Sequence, residues 1–153
     1  MKKFAALLLL ATALATPAMA REVKINVDLV NYSGRAAYLA VYLTKADGNF
    51  EKTLWLAGSK PRYLGDLRGW LMAASSAGTI QIDGVTGASV GGGQTLAISA
   101  DLADSMIDAG YTIHVETAVE DQGRYPDDAT LQVVSTGGSA AGTGYVKTLT
   151  VSL

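Results

Sequence analysis

The sequence predicts an all-β protein, an antiparallel β-sandwich with at most one short helix. Three observations point there. Apolar residues alternate with polar ones at period two in several stretches, turn-forming dipeptides separate those stretches, and only one segment has helical spacing. The length of 153 residues suits one domain with its own core. Hydrophobic residues make up 49% and charged residues 17%, the balance of a folded rather than a disordered chain.

Residues 1–20 read as a cleaved signal peptide that takes no part in the fold. Lys2 and Lys3 give a positive start, Phe4 to Ala15 an apolar run, and Ala18-Met19-Ala20 the small residues a signal peptidase requires. The run is short for a membrane span, which needs ~20 residues. The single sandwich domain is therefore 21–153, soluble in the periplasm. It is more acidic than the formal −2 of the whole chain, because two lysines leave with the leader. A mildly acidic domain lacks the electrostatic footprint of a nucleic-acid binder.

The elements follow in order. Val23, Ile25, Val27 and Leu29 alternate with Lys24, Asn26 and Asp28, a strand with one buried face. Asn31 to Arg35 is a turn cluster. Ala36 to Thr44 is apolar on both faces, so the spacing predicts a central strand between layers. Asp47-Gly48 is a hairpin signal, with Phe50 to Ala57 returning antiparallel. Leu64, Leu67 and Leu71 share one helical face with Trp70 beside them, which predicts a short helix over Tyr63 to Ala74. Gly65 and Gly69 each oppose that helix by about 1 kcal/mol relative to Ala. Thr79 to Ile82 is a short strand, and Gly91-Gly92-Gly93 breaks regular structure. Thr95 to Ser99 and Tyr111 to Val119 are strands flanking an acidic loop, Asp101 to Gly110. Leu131 to Val134 and Val146 to Val151 are strands on either side of a Gly/Ser/Ala loop, Thr136 to Gly144. Seven or eight short strands with turns between them suggest a sandwich of immunoglobulin-like type.

Several chemistries are excluded or disfavoured. With no Cys there is no disulfide, thiolate catalyst or iron–sulfur cluster. A single histidine, His114, rules out a multi-histidine metal site. It sits in the middle of a predicted strand, and no nucleophile elbow accompanies it. Asp101, Asp104 and Asp108 lack the ligand spacing of an EF-hand loop and read as a solvated loop. Arg62, Arg68 and Arg124 are scattered, as arginines covering apolar surface are. These observations favour a carrier or binding module over a catalyst.

One segment stands apart: Asp83-Gly84-Val85-Thr86-Gly87-Ala88-Ser89, of pattern Asp-x-x-Ser/Thr-Gly-Ala-Ser/Thr. It resembles the flavinylation motif of exported flavoproteins, in which a flavin transferase joins FMN to the last hydroxyl residue through a phosphoester. The resemblance implies Ser89 as acceptor and Asp83, Thr86, Gly87 and Ala88 as recognition residues. Small neighbours let a transferase approach the backbone, and the glycine run after Ser89 would present the acceptor and nest its phosphate. From average amino-acid usage a chance match in such a chain is about one in a thousand, so the motif outweighs an ordinary turn. Asp-Gly and Thr-Gly are nonetheless common turn dipeptides, and the turn reading stays open.

The resemblance reaches further. Tyr38 to Leu43 followed by Asp47-Gly48, then Thr53-Leu54-Trp55-Leu56, Arg62-Tyr63-Leu64, Asp66-Leu67, Trp70 and Asp83 to Ser89 are similar to a family of predicted periplasmic proteins of unknown function. Members accompany PepSY-type membrane proteins and flavin transferases. Ala109 to Glu116 is similar to an Ala-Gly-x-Tyr-x-x-x-x-Glu strand of hook-cap-type immunoglobulin-like domains. Two departures are Ser89 in place of the commoner Thr and the glycine run in place of a more Pro-rich continuation. The resemblance implies an electron-transfer protein carrying covalent FMN, with a flavin transferase and a PepSY-type membrane redox protein as partners. Trp55, Tyr63 and Trp70 are the aromatic residues placed to stack on the ring, if core packing does not claim them. A cofactor-free sandwich that binds a protein partner is the alternative.

Overall fold

A computed structural model describes residues 19–58, 60–78 and 80–153. Two sheets face each other, and a short helical layer covers the outer side of one. The first sheet contains β1 (Ala20–Leu29), β5 (Thr95–Ala103), β8 (Gly138–Ala141) and β9 (Val146–Ser152), in the order β5-β1-β9-β8. The second contains β2 (Tyr38–Thr44), β3 (Phe50–Ala57), β4 (Thr86–Gly87), β6 (Thr112–Ala118) and β7 (Arg124–Gln132), in the order β4-β3-β2-β6-β7. All ladders are antiparallel except β3–β4, which is parallel. The all-β sandwich expected from the alternation is what forms. The leader expected over 1–20 lies, apart from Met19 and Ala20, outside the described residues.

The alternation in β1 buries Val23, Ile25, Val27 and Leu29 between the sheets, where they meet Leu39, Val41 and Leu43 of β2 and Leu149 and Val151 of β9. A Val, Leu or Ile buried this way contributes roughly 1.5–3 kcal/mol relative to leaving it in water. β2 is buried along its whole length, as its two apolar faces predict. Its other face, with Tyr38, Ala40 and Tyr42, packs under a 3-10 turn (Pro61–Asp66) and helix α1 (Arg68–Ser76) through Leu67, Trp70 and Ala74.

The helical segment departs from the single helix predicted over 63–74. It breaks at Leu67, whose ψ of 67° is not helical. The α1 cap residue offers no side-chain oxygen; a buried carboxylate from β6 takes that role instead. Glu116 accepts from the backbone N–H of Gly69 at 3.0 Å and of Trp70 at 2.6 Å, two donors that the start of a helix otherwise leaves unpaired. Gly69 leaves room for this contact, since a Cβ there would lie 3.0 Å from Oε2.

Burial nonetheless raises the Glu116 carboxyl above its usual range, and the two N–H bonds offset only part of that. A carboxyl raised in the folded state favours folding when protonated. That contribution is complete below the unfolded value, roughly 4.3, and is lost as pH rises through the folded value. The Glu116→Gln variant cannot ionise, so the stability advantage of the wild type over it should shrink between pH 4 and pH 7. Paired urea titrations measure this. Glu116→Ala should cost about 2 kcal/mol near pH 4, because both N–H groups lose their acceptor, and less at pH 7, since it too lacks the ionising carboxyl.

Other differences have local causes. The strand expected over 131–134 runs earlier, over β7. The loop expected over 136–144 contains β8. The strand expected over 79–82 is not formed at 80–82, and residue 79 lies outside the described residues. The glycine run is a hydrogen-bonded turn. The Gly91 N–H is taken by Gln94 Oε1, the Gly93 N–H by the Val30 carbonyl, and a Cβ on Gly92 would strike the Tyr32 carbonyl oxygen. With two of its three N–H groups engaged, the run does not nest a phosphate in this conformation.

Candidate functional site on the edge of the second sheet

The motif forms the edge of the second sheet. It opens with a turn in which the Val85 N–H reaches the Ile82 carbonyl and Gly84 takes φ +76°, a value that suits glycine. Thr86 and Gly87 then lie parallel to β3, opposite Leu56 and Ala57. The Leu56 and Gly58 N–H groups donate to Val85 and Gly87 at 2.7 and 2.8 Å. Past β4, Val90 bridges antiparallel to Ala37 with mutual bonds of 2.6 and 2.9 Å. Ser89 is thus held between two anchored points, on the backbone step next to Tyr38. Val90 is buried between the sheets. Ser89 itself lies outside any strand, between β4 and this bridge. Ser89 is half-buried, and Asp83, Thr86 and Ala88 are exposed.

Among the described residues the Asp83 carboxylate makes no hydrogen bond. It lines a groove of about 270 Å³ with Gln81, Val85 and the Phe50–Thr53 stretch of β3. The structure therefore brings the five motif residues onto one edge but separates Asp83, in the groove, from Ser89, at the far end of the segment.

Gly87 has a structural reason of its own. A Cβ there would sit 2.7 Å from Cζ2 of Trp55. The indole lies against the glycine backbone, and its Nε1 is buried without a partner among the described residues. Gly87→Ala should therefore destabilise the domain by about 1–3 kcal/mol through overpacking. Trp55→Phe should recover part of that loss in a double-mutant cycle read by thermal unfolding.

The aromatic residues divide clearly. Trp70 is 1% exposed, and its Nε1 donates to Thr53 Oγ1 at 2.9 Å, so it belongs to the core. Trp55 faces the space between the sheets. Tyr63 alone of the three lies half-exposed on the outer face, its ring 5.5 Å from that of Tyr38. The Arg62 guanidinium stands 4.7 Å from the Tyr63 ring centre and donates to its hydroxyl at 2.9 Å. That hydroxyl donates to Glu120 at 2.5 Å, and Arg35 pairs with the same carboxylate at 2.9 Å. The Tyr63 bond holds the Glu120 carboxyl below its usual range and the phenol above its own. Arg124 pairs with Asp66.

His114 is better connected than its place in the strand suggests. Its Nδ1 is 2.6 Å from Asp127 Oδ1 and its Nε2 3.0 Å from Thr44 Oγ1, and its ring stacks on Tyr42 at 5.0 Å. A carboxylate can only accept, so Nδ1 carries the proton it shares with Asp127. The order hydroxyl–imidazole–carboxylate is that of a hydrolytic triad, but Thr44 is 6% exposed and gives a substrate no access. The array ties β2, β6 and β7 together. Burial, then the Asp127 charge, push the Tyr42 phenol up.

Asp127 was not legible locally. A bulge sets Pro126, Asp127 and Asp128 of β7 against Glu116 alone, and Asp127 takes φ +52°. Neighbouring aspartates thereby serve opposite sides of the sheet. The first meets His114. The second is fully buried and accepts from Thr117 Oγ1 and from the N–H groups of Thr143, Gly144, Tyr145 and Val146, at 2.6–3.0 Å. Asp101, Asp104 and Asp108 gather no metal-binding cluster, and no such cluster occurs among the described residues.

Fold and site define a two-sheet β protein whose distinctive motif lies on a sheet edge. Residues 20–148 match the family described as predicted periplasmic protein (DUF2271), and the chain belongs to that family. Among the described residues no helix is long and apolar enough to cross a membrane, in keeping with the family's periplasmic description. No curated protein and no solved structure matches the chain.

Proposed function

We propose that the protein is a periplasmic electron-transfer module that carries FMN joined covalently to Ser89. The observation that supports this is the placement of the motif. Ser89 stands half-buried at the end of an edge segment, where a transferase can approach without opening the core. Asp83, Thr86, Gly87 and Ala88 form the recognition stretch leading to it. In the attachment step the Ser89 Oγ–H bond is exchanged for an Oγ–P bond, with an activated flavin nucleotide as donor. The proton departs with the donor's leaving group, so the chain gains one FMN less one water.

When bound, FMN supplies one- and two-electron chemistry; the protein anchors and positions it. Ser89 fixes one end of the cofactor, and the Tyr63 cluster at the same end of the sheet offers aromatic and cationic surroundings. The partners this reading implies are a flavin transferase and a PepSY-type membrane redox protein. The test is the intact mass of protein taken from its native host, where a transferase acting on it would be present. A mass raised by FMN less water, mapped to the Ser89 peptide, supports the reading. An unmodified Ser89 peptide overturns it and leaves a cofactor-free module that binds a protein partner.

A further inference from the structure

We infer that the outer-face cluster of Tyr63, Arg62, Lys60 and Arg35 is the seat of the flavin that Ser89 carries, an inference that rests on the function proposed above. Four contacts bring the cluster to Ser89. Gly58 donates to Gly87 of the motif, and two residues later the chain reaches Lys60. The Tyr38 ring covers Gly58, where a Cβ would lie 2.3 Å from Cδ1, and Tyr38 packs on Tyr63. Ala37 bridges Val90, next to Ser89. Arg35, just before that bridge, reaches Glu120 and through it Tyr63. The cluster and Ser89 therefore lie at the same end of the second sheet.

The chemistry matches a flavin. The ring system is broad, flat and electron-poor, which suits stacking on a phenol. The phosphoester is anionic, and the reduced ring gains negative charge. Lys60 at 5.8 Å and Arg62 at 4.7 Å from the Tyr63 ring centre, with Arg35 and Arg124, set four cations against the carboxylates of Asp66, Glu120 and Asp121. Beside Tyr63 lies a trough of about 240 Å³, walled by Asp66, Glu120, Gln122 and Arg124. The competing aromatic pair at this end, Tyr32 and Tyr145, packs against the core between the sheets.

The test uses the full chain co-expressed with a flavin transferase. Intact mass reports labelling, and flavin fluorescence is compared in the folded protein and in the same sample unfolded in guanidinium. A phenol stacked on the ring quenches it by electron donation, so wild-type fluorescence should rise severalfold on unfolding. Tyr63→Leu should label fully and lose most of that rise. Arg62→Gln, a change at an exposed site, should lower the midpoint potential of the labelled protein, because a cation no longer faces the reduced ring. Trp55→Phe should leave the quenching in place. Labelled wild type with equal fluorescence folded and unfolded overturns the seat alone. So does quenching that survives Tyr63→Leu or disappears in Trp55→Phe. A wild type that gains no mass overturns the proposed function and the seat together.

Discussion

Replacing Asp128 by alanine should remove about 4 kcal/mol of the stability of the domain. The side chain is fully buried and accepts five hydrogen bonds, four of them from consecutive backbone N–H groups at 143–146. Those groups belong to the turn that delivers the chain into β9; of the four, the Thr143 N–H also reaches the Asp128 backbone carbonyl at 2.8 Å. Each buried donor left unpaired costs about 1–3 kcal/mol, so a total near 4 kcal/mol is expected even if water replaces some of the bonds. Domains of this size hold only about 5–15 kcal/mol in all. Asp128→Asn should lie between, because it keeps one acceptor oxygen but turns an NH₂ towards N–H donors. Thr117→Val, which removes one hydroxyl, should cost about 1 kcal/mol. Urea titration ranks the three. An Asp128→Ala midpoint equal to that of the wild type would show that the turn does not depend on the carboxylate.

Ser89→Ala should abolish flavin labelling altogether, since no other oxygen at that position can form the phosphoester. Ser89→Thr should retain it, because the hydroxyl remains at the same backbone step. Neither change should alter stability by more than about 0.5 kcal/mol, the range for a side chain outside the core. Asp83→Ala separates recognition from folding. Among the described residues its carboxylate caps no turn, so the variant should unfold like the wild type while labelling falls. A loss of stability on the order of 1 kcal/mol would instead give Asp83 a capping role. Intact mass after co-expression with a transferase, beside thermal unfolding of each variant, reads both quantities.

The strands that bury one face were plain from the sequence, because alternation in β1 and the doubly apolar run of β2 follow directly from burial. The strands that escaped are those whose residues argue against a strand. β7 begins Arg-Tyr-Pro-Asp-Asp, a turn composition; it is tolerated because β7 is an edge strand with a bulge, where proline forfeits no ladder bond. β8 is Gly-Ser-Ala-Ala, with almost no side chain to signal its pairing. β4 is two residues long and exists only through its partner β3. The site divides in the same way. The motif was legible as a string, but its position on a sheet edge was not. The Glu116 cap, the Trp55 contact that requires Gly87, and the Asp127–His114 pair join residues far apart in sequence, so no local pattern announces them.

The place of β1 governs when this chain can fold. The first strand lies inside its sheet, between β5 from the middle of the chain and β9 from its end. Neither neighbour is close in sequence, so β1 cannot complete its pairing until Val146–Ser152 is at hand. Sheets built from such distant partners form slowly, because the intervening loop must close before any contact rewards it. For a protein destined for the periplasm that delay is useful. A chain whose first sheet waits for its last strand keeps an unfolded form longer, and that is the form in which a chain can be threaded across a membrane.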